Sequence, residues 1–349
     1  MPGSERDFLS GPRPRKRILS WIDGHHDVGE PNKRARPLHD LSRRSLVNLF
    51  SDALFPVQQT LCKYLDIQDI VNLTRTCKAL ESLYRRLLST QWNIEKQLGR
   101  IFRNPRLFRN LLLGQCNALI YGSFALQFFQ RAECATTDLD IYIHESRDDV
   151  SHLYLTVNEG YKLLEERQAG LPHRSDIVSK RIYSRADDQP SPMVRVLITD
   201  TNPATALLRD VYLTATVNII TYNKAYAMFP RSAFVKKQAF ILKAMDTHFG
   251  RVLRNYKTSG WTSQRLLESH LNKRAKERLE RDRWVGDKKY WTITLEPAVD
   301  IMQSPAPSVI ECCNFRVERW NAHHTSSIET MHTLEIRCWA FRHPTLLHE

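Results

Sequence analysis

Between Ile120 and Ile143 the chain reads IYGSFALQFFQRAECATTDLDIYI, and two features of this stretch could do chemistry. Asp138 and Asp140 stand one residue apart. On an extended strand alternate residues share a face, so both carboxylates point one way while Leu139 and Ile141 point the other. Two like charges at that distance repel, and the pair calls for a cation, an arginine or solvent. A hard divalent cation such as magnesium is one fitting partner, because it is held by one or two carboxylates and completed by phosphate oxygens and water. Upstream, Gly122-Ser123 ends an apolar run just before a helical pattern. A helix N-terminus there would present backbone N–H groups to an anion, with glycine admitting close approach and serine adding a hydroxyl. Asp138 and Asp140 are thus candidate metal ligands and catalytic residues, and Gly122 and Ser123 candidate cofactor-binding residues. The competing reading is structural: Asp138 caps, satisfies backbone donors, or pairs with Arg131.

The elements that must position these residues alternate along the chain. ALIYGS reads as strand, FALQFFQRA as helix, DLDIYIHE as strand and DDVSHLYLTVNEGYKLLEERQAG as helix. IVSKRIYSRA and MVRVLITD follow as strands, NPATALLRDVYLT as a helix opened by Asn202-Pro203, and TVNIITYN as a further strand. Such alternation predicts an α/β (α+β) fold with a mixed sheet. Ahead of it, Leu54, Val57, Leu61, Leu65 and then Ile70, Leu73, Cys77, Leu80 fall at helical spacing, which predicts short amphipathic helices with these stripes in a core. Pro56 suits a first helical turn, and Asp66 or Asp69 a helix cap. Asn104-Pro105 breaks the next helical stretch and starts another.

Three resemblances add to this. The run Phe55-Pro56, Leu61, Tyr64-Leu65, Asp69-Ile70, Leu73, Thr76-Cys77, Leu80 resembles an F-box, with Phe55 in place of the opening leucine and Lys78 where arginine is common. That resemblance implies docking to the Skp-type adaptor of an SCF ubiquitin ligase through Phe55, Pro56, Leu61, Leu65, Ile70 and Leu73. The Gly122-Ser123 turn followed by Asp138-x-Asp140 is similar to the nucleotidyltransferase superfamily of the DNA-polymerase-beta type. It implies a nucleotide triphosphate held at Gly122 and Ser123, magnesium on Asp138 and Asp140, and a third carboxylate on a later strand. That third acid has no good match: MVRVLITD offers Arg195 in its interior and Asp200 only at its end, and TVNIIT offers Asn218. Arg195 would be hostile to metals if it faced them. Residues 50 to 240 also look like a group of fungal proteins that join an F-box-like segment to a nucleotidyltransferase-like region, a group in which asparagine at the position of Asn218 is common; this implies a degenerate site and no particular reaction.

Composition bounds the rest. The 349 residues carry a formal charge of +13, which suits nucleic acid or another acidic partner. No apolar run is long enough to span a membrane, and a polar, basic N-terminus is not a secretory signal, so the reading is a chain of the nucleus or cytoplasm. Seven cysteines without a CxxC pair read as free thiols. Residues 1–45 read as a disordered basic tail whose clusters at Arg13 to Arg17 and Lys33 to Arg36 resemble an import signal. The expected order is then an F-box-like helical segment at 46–100, a nucleotidyltransferase-like domain at 101–235, a basic helical region at 236–289 and a small β-rich part at 290–349. In the basic region Tyr256, Trp261 and Trp284 are candidates for stacking bases, against the alternative that they pack inward. Cys312, Cys313, His323 and His324 make a poor metal site, since neighbours on a strand face opposite ways. The leading reading is an F-box-like adaptor carrying an inactive nucleotidyltransferase fold. The alternatives are an active magnesium-dependent nucleotidyltransferase and a nucleic-acid-binding protein.

Overall fold

The computed structural model describes residues 46–132, 138–168, 176–185, 192–242, 247–258, 260–265, 273, 283–284, 290–295, 313–324 and 327–338. The basic tail, the ERLERD run up to residue 282 and Cys312 lie outside them. The chain divides into two units after Asn48, and the elements from α2 onward all belong to the second, Leu49–Glu349.

After a helical turn, α1 (Leu46–Leu49), come α2 (Phe55–Tyr64), α3 (Ile67–Thr76), α4 (Glu81–Thr90), α5 (Ile94–Leu98) and α6 (Pro105–Phe108), the last continued by a π-helical stretch at Arg109–Gln115. Their ends follow the local chemistry. Pro56 sits in the first turn of α2, and Asp66 and Asp69 form a reciprocal capping box at α3. Asn104 caps α6 through Leu107 N–H, with Pro105 in the first turn. Next come β1 (Leu119–Tyr121), α7 (Ser123–Gln130), β2 (Leu139–His144), α8 (Asp148–Leu153) with a π-helical continuation at Tyr154–Asn158, β3 (Lys162–Gln168), β4 (Ile177–Ser184), β5 (Val194–Thr199) and α9 (Pro203–Asp210). The remainder is β6 (Asn218–Ile220), β7 (Lys224–Ala227), β8 (Gln238–Ile241), α10 (Thr247–Thr258), β9 (Thr262–Arg265), β10 (Arg283–Trp284), β11 (Trp291–Thr294), β12 (Cys313–His324) and β13 (Ser327–Cys338).

Eight strands form one mixed sheet in the order β11-β7-β6-β1-β2-β5-β4-β3, in which β2 and β5 run parallel and the other neighbours antiparallel. Alternation sorts its side chains. Leu139, Ile141 and Ile143 of β2 and Val194, Val196 and Ile198 of β5 join one core with α7 and the front helices, through Ile70, Leu83, Leu87, Trp92 and Phe108. The other face packs Leu119 and Tyr142 against Ala204, Leu207 and Leu208 of α9. Burying apolar side chains on both faces is worth roughly 1.5–3 kcal/mol for each large one, so the central strands are the most strongly held part of the fold.

Three stretches differ from the periodicity. KLLEERQ, which reads as the tail of a helix, is β3: Gly160, at φ +72°, ends the helix, and the chain returns along β4 with a bulge at Leu163/Glu165. The region expected to be helical from residue 236 opens on strand β8 ahead of helix α10, because Phe240 and Ala239 are buried beside β9 in a parallel pair. Trp291–Thr294 is the edge strand of the main sheet, whereas Cys313–His324 and Ser327–Cys338 join β10 in a three-stranded sheet, so the β-rich end is shared between two sheets.

Candidate functional site

Asp140 and Arg195 are register partners on the parallel neighbours β2 and β5, and Tyr121 is Asp140's partner on β1. The acids and Arg195 therefore project from the same face of the sheet, the one that carries α9. Arg195 Nε donates to Asp140 Oδ1 at 2.6 Å and Nη2 to Oδ2 at 3.2 Å, a side-on bidentate pair. Nη1 lies 3.6 Å from Asp138 Oδ2, while Asp138 Oδ1 accepts from Met193 N–H at 3.1 Å. One guanidinium thus serves both acids. Asp140's side chain is only 17 % exposed, and burial pushes its carboxyl above the ordinary range, opposed chiefly by Arg195 and further by Lys180.

Gly122 is dictated by the same cluster. Its φ of +79° suits glycine, and a Cβ there would stand 2.7 Å from Asp140 Oδ2. Ser123 opens α7 as expected, and Phe124, Ala125, Phe128 and Phe129 of that helix are buried. The turn and the twin acids are therefore neighbours, as the spacing predicts.

Neither Asn218 nor Asp200 stands beside the acids as a third oxygen ligand. Asn218 is buried on β6, where its Nδ2 donates to Ala215 O at 2.7 Å, and since Val217 and Ile219 on either side of it pack on the α9 face, its side chain points to the opposite face from the acids. Asp200 is exposed at the far end of β5, about 16 Å along the strand from Arg195 at the usual rise. Among the described residues no group of three or more His, Cys, Asp or Glu side chains is placed to hold a metal. The donor set does not fit a divalent cation: each of the four carboxylate oxygens of Asp138 and Asp140 already faces a hydrogen-bond donor or the guanidinium. Tyrosines wall the cluster. Tyr121 and Tyr142 meet edge to face at 5.7 Å, and Tyr142 donates to Asp210 at 3.1 Å. The hydroxyls of Tyr121 and of Tyr256 from α10 are pushed far up by burial, with Asp140 adding to both.

The front helices hold a second candidate site. Of the residues expected at a partner surface, Ile70 is fully buried, Leu65 and Leu73 pack on the core, Phe55 and Leu61 are half-buried, and Pro56 is exposed. The periodicity predicts the stripe Leu54, Val57, Leu61, Leu65 inward, yet Leu54 and Val57 face out, Leu61 is half-buried, and only Leu65 packs on the core. Val57 is 44 % and Tyr64 84 % exposed, and Leu54 and the neighbouring Val71 of α3 are exposed too. The inner side of α2 carries Gln58 and Cys62 instead. Gln58, 2 % exposed, donates to Ser51 O at 2.6 Å and accepts from Arg86 at 3.1 Å, so its amide is satisfied inside. The signal for this is a second stripe, Gln58-Cys62-Leu65, which an apolarity count overlooks. Arg131, at the C-terminal end of α7, holds α2 in place: it donates to Cys62 O at 2.7 Å, to Leu65 O, and to Gln91 at 3.2 Å. Its guanidinium also lies over the Trp92 ring at 5.8 Å. The pairing of Arg131 with Asp138 that the structural reading allows is therefore not made.

Two of the three aromatic candidates of the basic region pack inward. Trp261 is buried and meets Tyr256 edge to face at 5.8 Å, so both are packing residues; Trp284's side chain is outside the described residues. Cys313 opens β12 and His323 and His324 end it, on the order of 30 Å apart at the rise of a strand, too far to share an ion. No described helix is long and apolar enough to cross a membrane.

No family model matches the chain, and neither do the curated proteins or the solved structures.

Proposed function

We propose that this protein is a noncatalytic binding protein that docks a Skp-type adaptor through the outer face of α2, with the mixed-sheet region as scaffold for a client. The carrying observation is the apolar stripe Leu54, Val57, Leu61, Tyr64, held wholly or partly toward solvent while a glutamine occupies the inner side of the same helix. Exposing apolar side chains in a contiguous row is what a docking face does. The F-box resemblance, which shares Leu61 and Tyr64 with this row, suggests the partner, although Leu65, Ile70 and Leu73 of the expected docking set pack on the core.

The test is a pull-down with the purified adaptor. Wild type is captured; Val57→Asp plus Tyr64→Asp is not, and keeps the wild-type melting temperature because both side chains are exposed. No capture of wild type, or equal capture of the double variant, overturns the reading. The alternative, magnesium-dependent nucleotidyl transfer on Asp138 and Asp140, is disfavoured by Arg195. Its assay is incorporation of labelled nucleotide with magnesium or manganese, expected to be nil.

A further inference from the structure

A pair of carboxylates on one strand, beside a glycine turn that admits their close approach, is an arrangement that a cation must complete. The cation present is internal. Arg195 spans both acids with three nitrogens, at 2.6 and 3.2 Å to Asp140 and 3.6 Å to Asp138. Its planar fork matches carboxylate geometry, which an ammonium or a hydrated ion does not reproduce. Lys180 on β4, on the same face of the sheet as Arg195, adds a further positive charge acting on Asp140.

We propose that Arg195 holds the place of a divalent cation between Asp138 and Asp140, so that the cluster is complete without metal and losing the guanidinium opens a cation site. This is independent of the adaptor reading, since α2 takes no part in it. Substituting Arg195 by alanine removes the fork and its charge and leaves the two carboxylates facing each other. A hard cation with oxygen ligands then becomes the cheapest way to relieve their repulsion, as a weak site completed by water.

The experiment titrates Mn2+ against full-length wild type, Arg195→Ala and Arg195→Ala/Asp140→Asn, following free Mn2+ by electron paramagnetic resonance and folding by circular dichroism. Wild type is expected to bind none and to keep the same melting temperature in Mn2+ and in EDTA. Arg195→Ala is expected to bind with Kd on the order of 1 mM, in the range of weak oxygen-ligand sites, and the double variant to lose that binding. If Arg195→Ala is unfolded without metal, millimolar Mn2+ restores its folded signal. Stoichiometric binding to wild type that Asp140→Asn abolishes overturns the proposal. So does a folded Arg195→Ala that binds nothing, or an unfolded one that Mn2+ fails to rescue.

Discussion

The acid cluster and the outer face of α2 are opposites. At the cluster every strong polar group is answered from within the chain: Arg195 meets both carboxylates, Met193 N–H the remaining oxygen, and tyrosines close the wall. On α2 apolar side chains are left facing water while Gln58 is drawn inside. The residues that look most chemical are thus electrostatically finished, and those that look like ordinary helix packing are the unfinished ones. Unfinished surface is where a partner gains most, because covering it removes apolar area from water at no polar cost.

The contrast can be broken at several points. The largest effect is expected where the front helices meet the sheet: Ile70→Ala should cost about 2–5 kcal/mol in denaturant unfolding, while Val57→Ala changes it by under about 0.5 kcal/mol. Equal costs would mean that α2 and α3 are not divided into an inner and an outer side. Arg131→Ala should cost roughly 1.5–3 kcal/mol, because it strips a charged donor from the carbonyls of Cys62 and Leu65 at the end of α2. Gly122→Ala, which forces a Cβ against Asp140 in a left-handed backbone, should cost about 1–3 kcal/mol by thermal melting. Pairing it with Asp140→Ala should recover the part due to the clash.

The smallest effect is in pH. Burial raises Asp140 above its ordinary value of 3.8, so the folded chain takes up that proton more readily than the unfolded one. The stability this group contributes is fully present below 3.8 and is lost as pH rises through the raised value. Melting temperatures of wild type and Asp140→Asn, compared from neutral pH down towards 4, should therefore shift in favour of wild type on acidification. The opposite slope would mean that Arg195 outweighs burial at this carboxylate.

How much of the fold and the cluster was legible in the sequence depends on the range of the interactions. The β1-turn-α7-β2 unit, with Gly122 at the turn and Asp138 and Asp140 on one face, was readable because strand alternation and glycine backbone freedom act within a few residues. So were the cap at Asp66 and the helix starts at Asn104-Pro105 and Asn202-Pro203. The strand at KLLEERQ was not, since its leucines fit helical spacing as well as a strand, and only pairing with β4 decides between them. The fate of Arg195 was readable as a conflict and not as an outcome.

By itself the sequence determined local conformation, the two faces of each central strand, and the presence of twin acids beside a glycine turn, all consequences of steric and periodic rules over short distances. Only the tertiary structure decided that β5 lies parallel to β2 in the register that sets Arg195 against Asp140, and that α2 presents Val57 and Tyr64 outward. Both are settled by contacts between residues distant along the chain, where which of two competing faces is buried depends on the partner that folding brings to it.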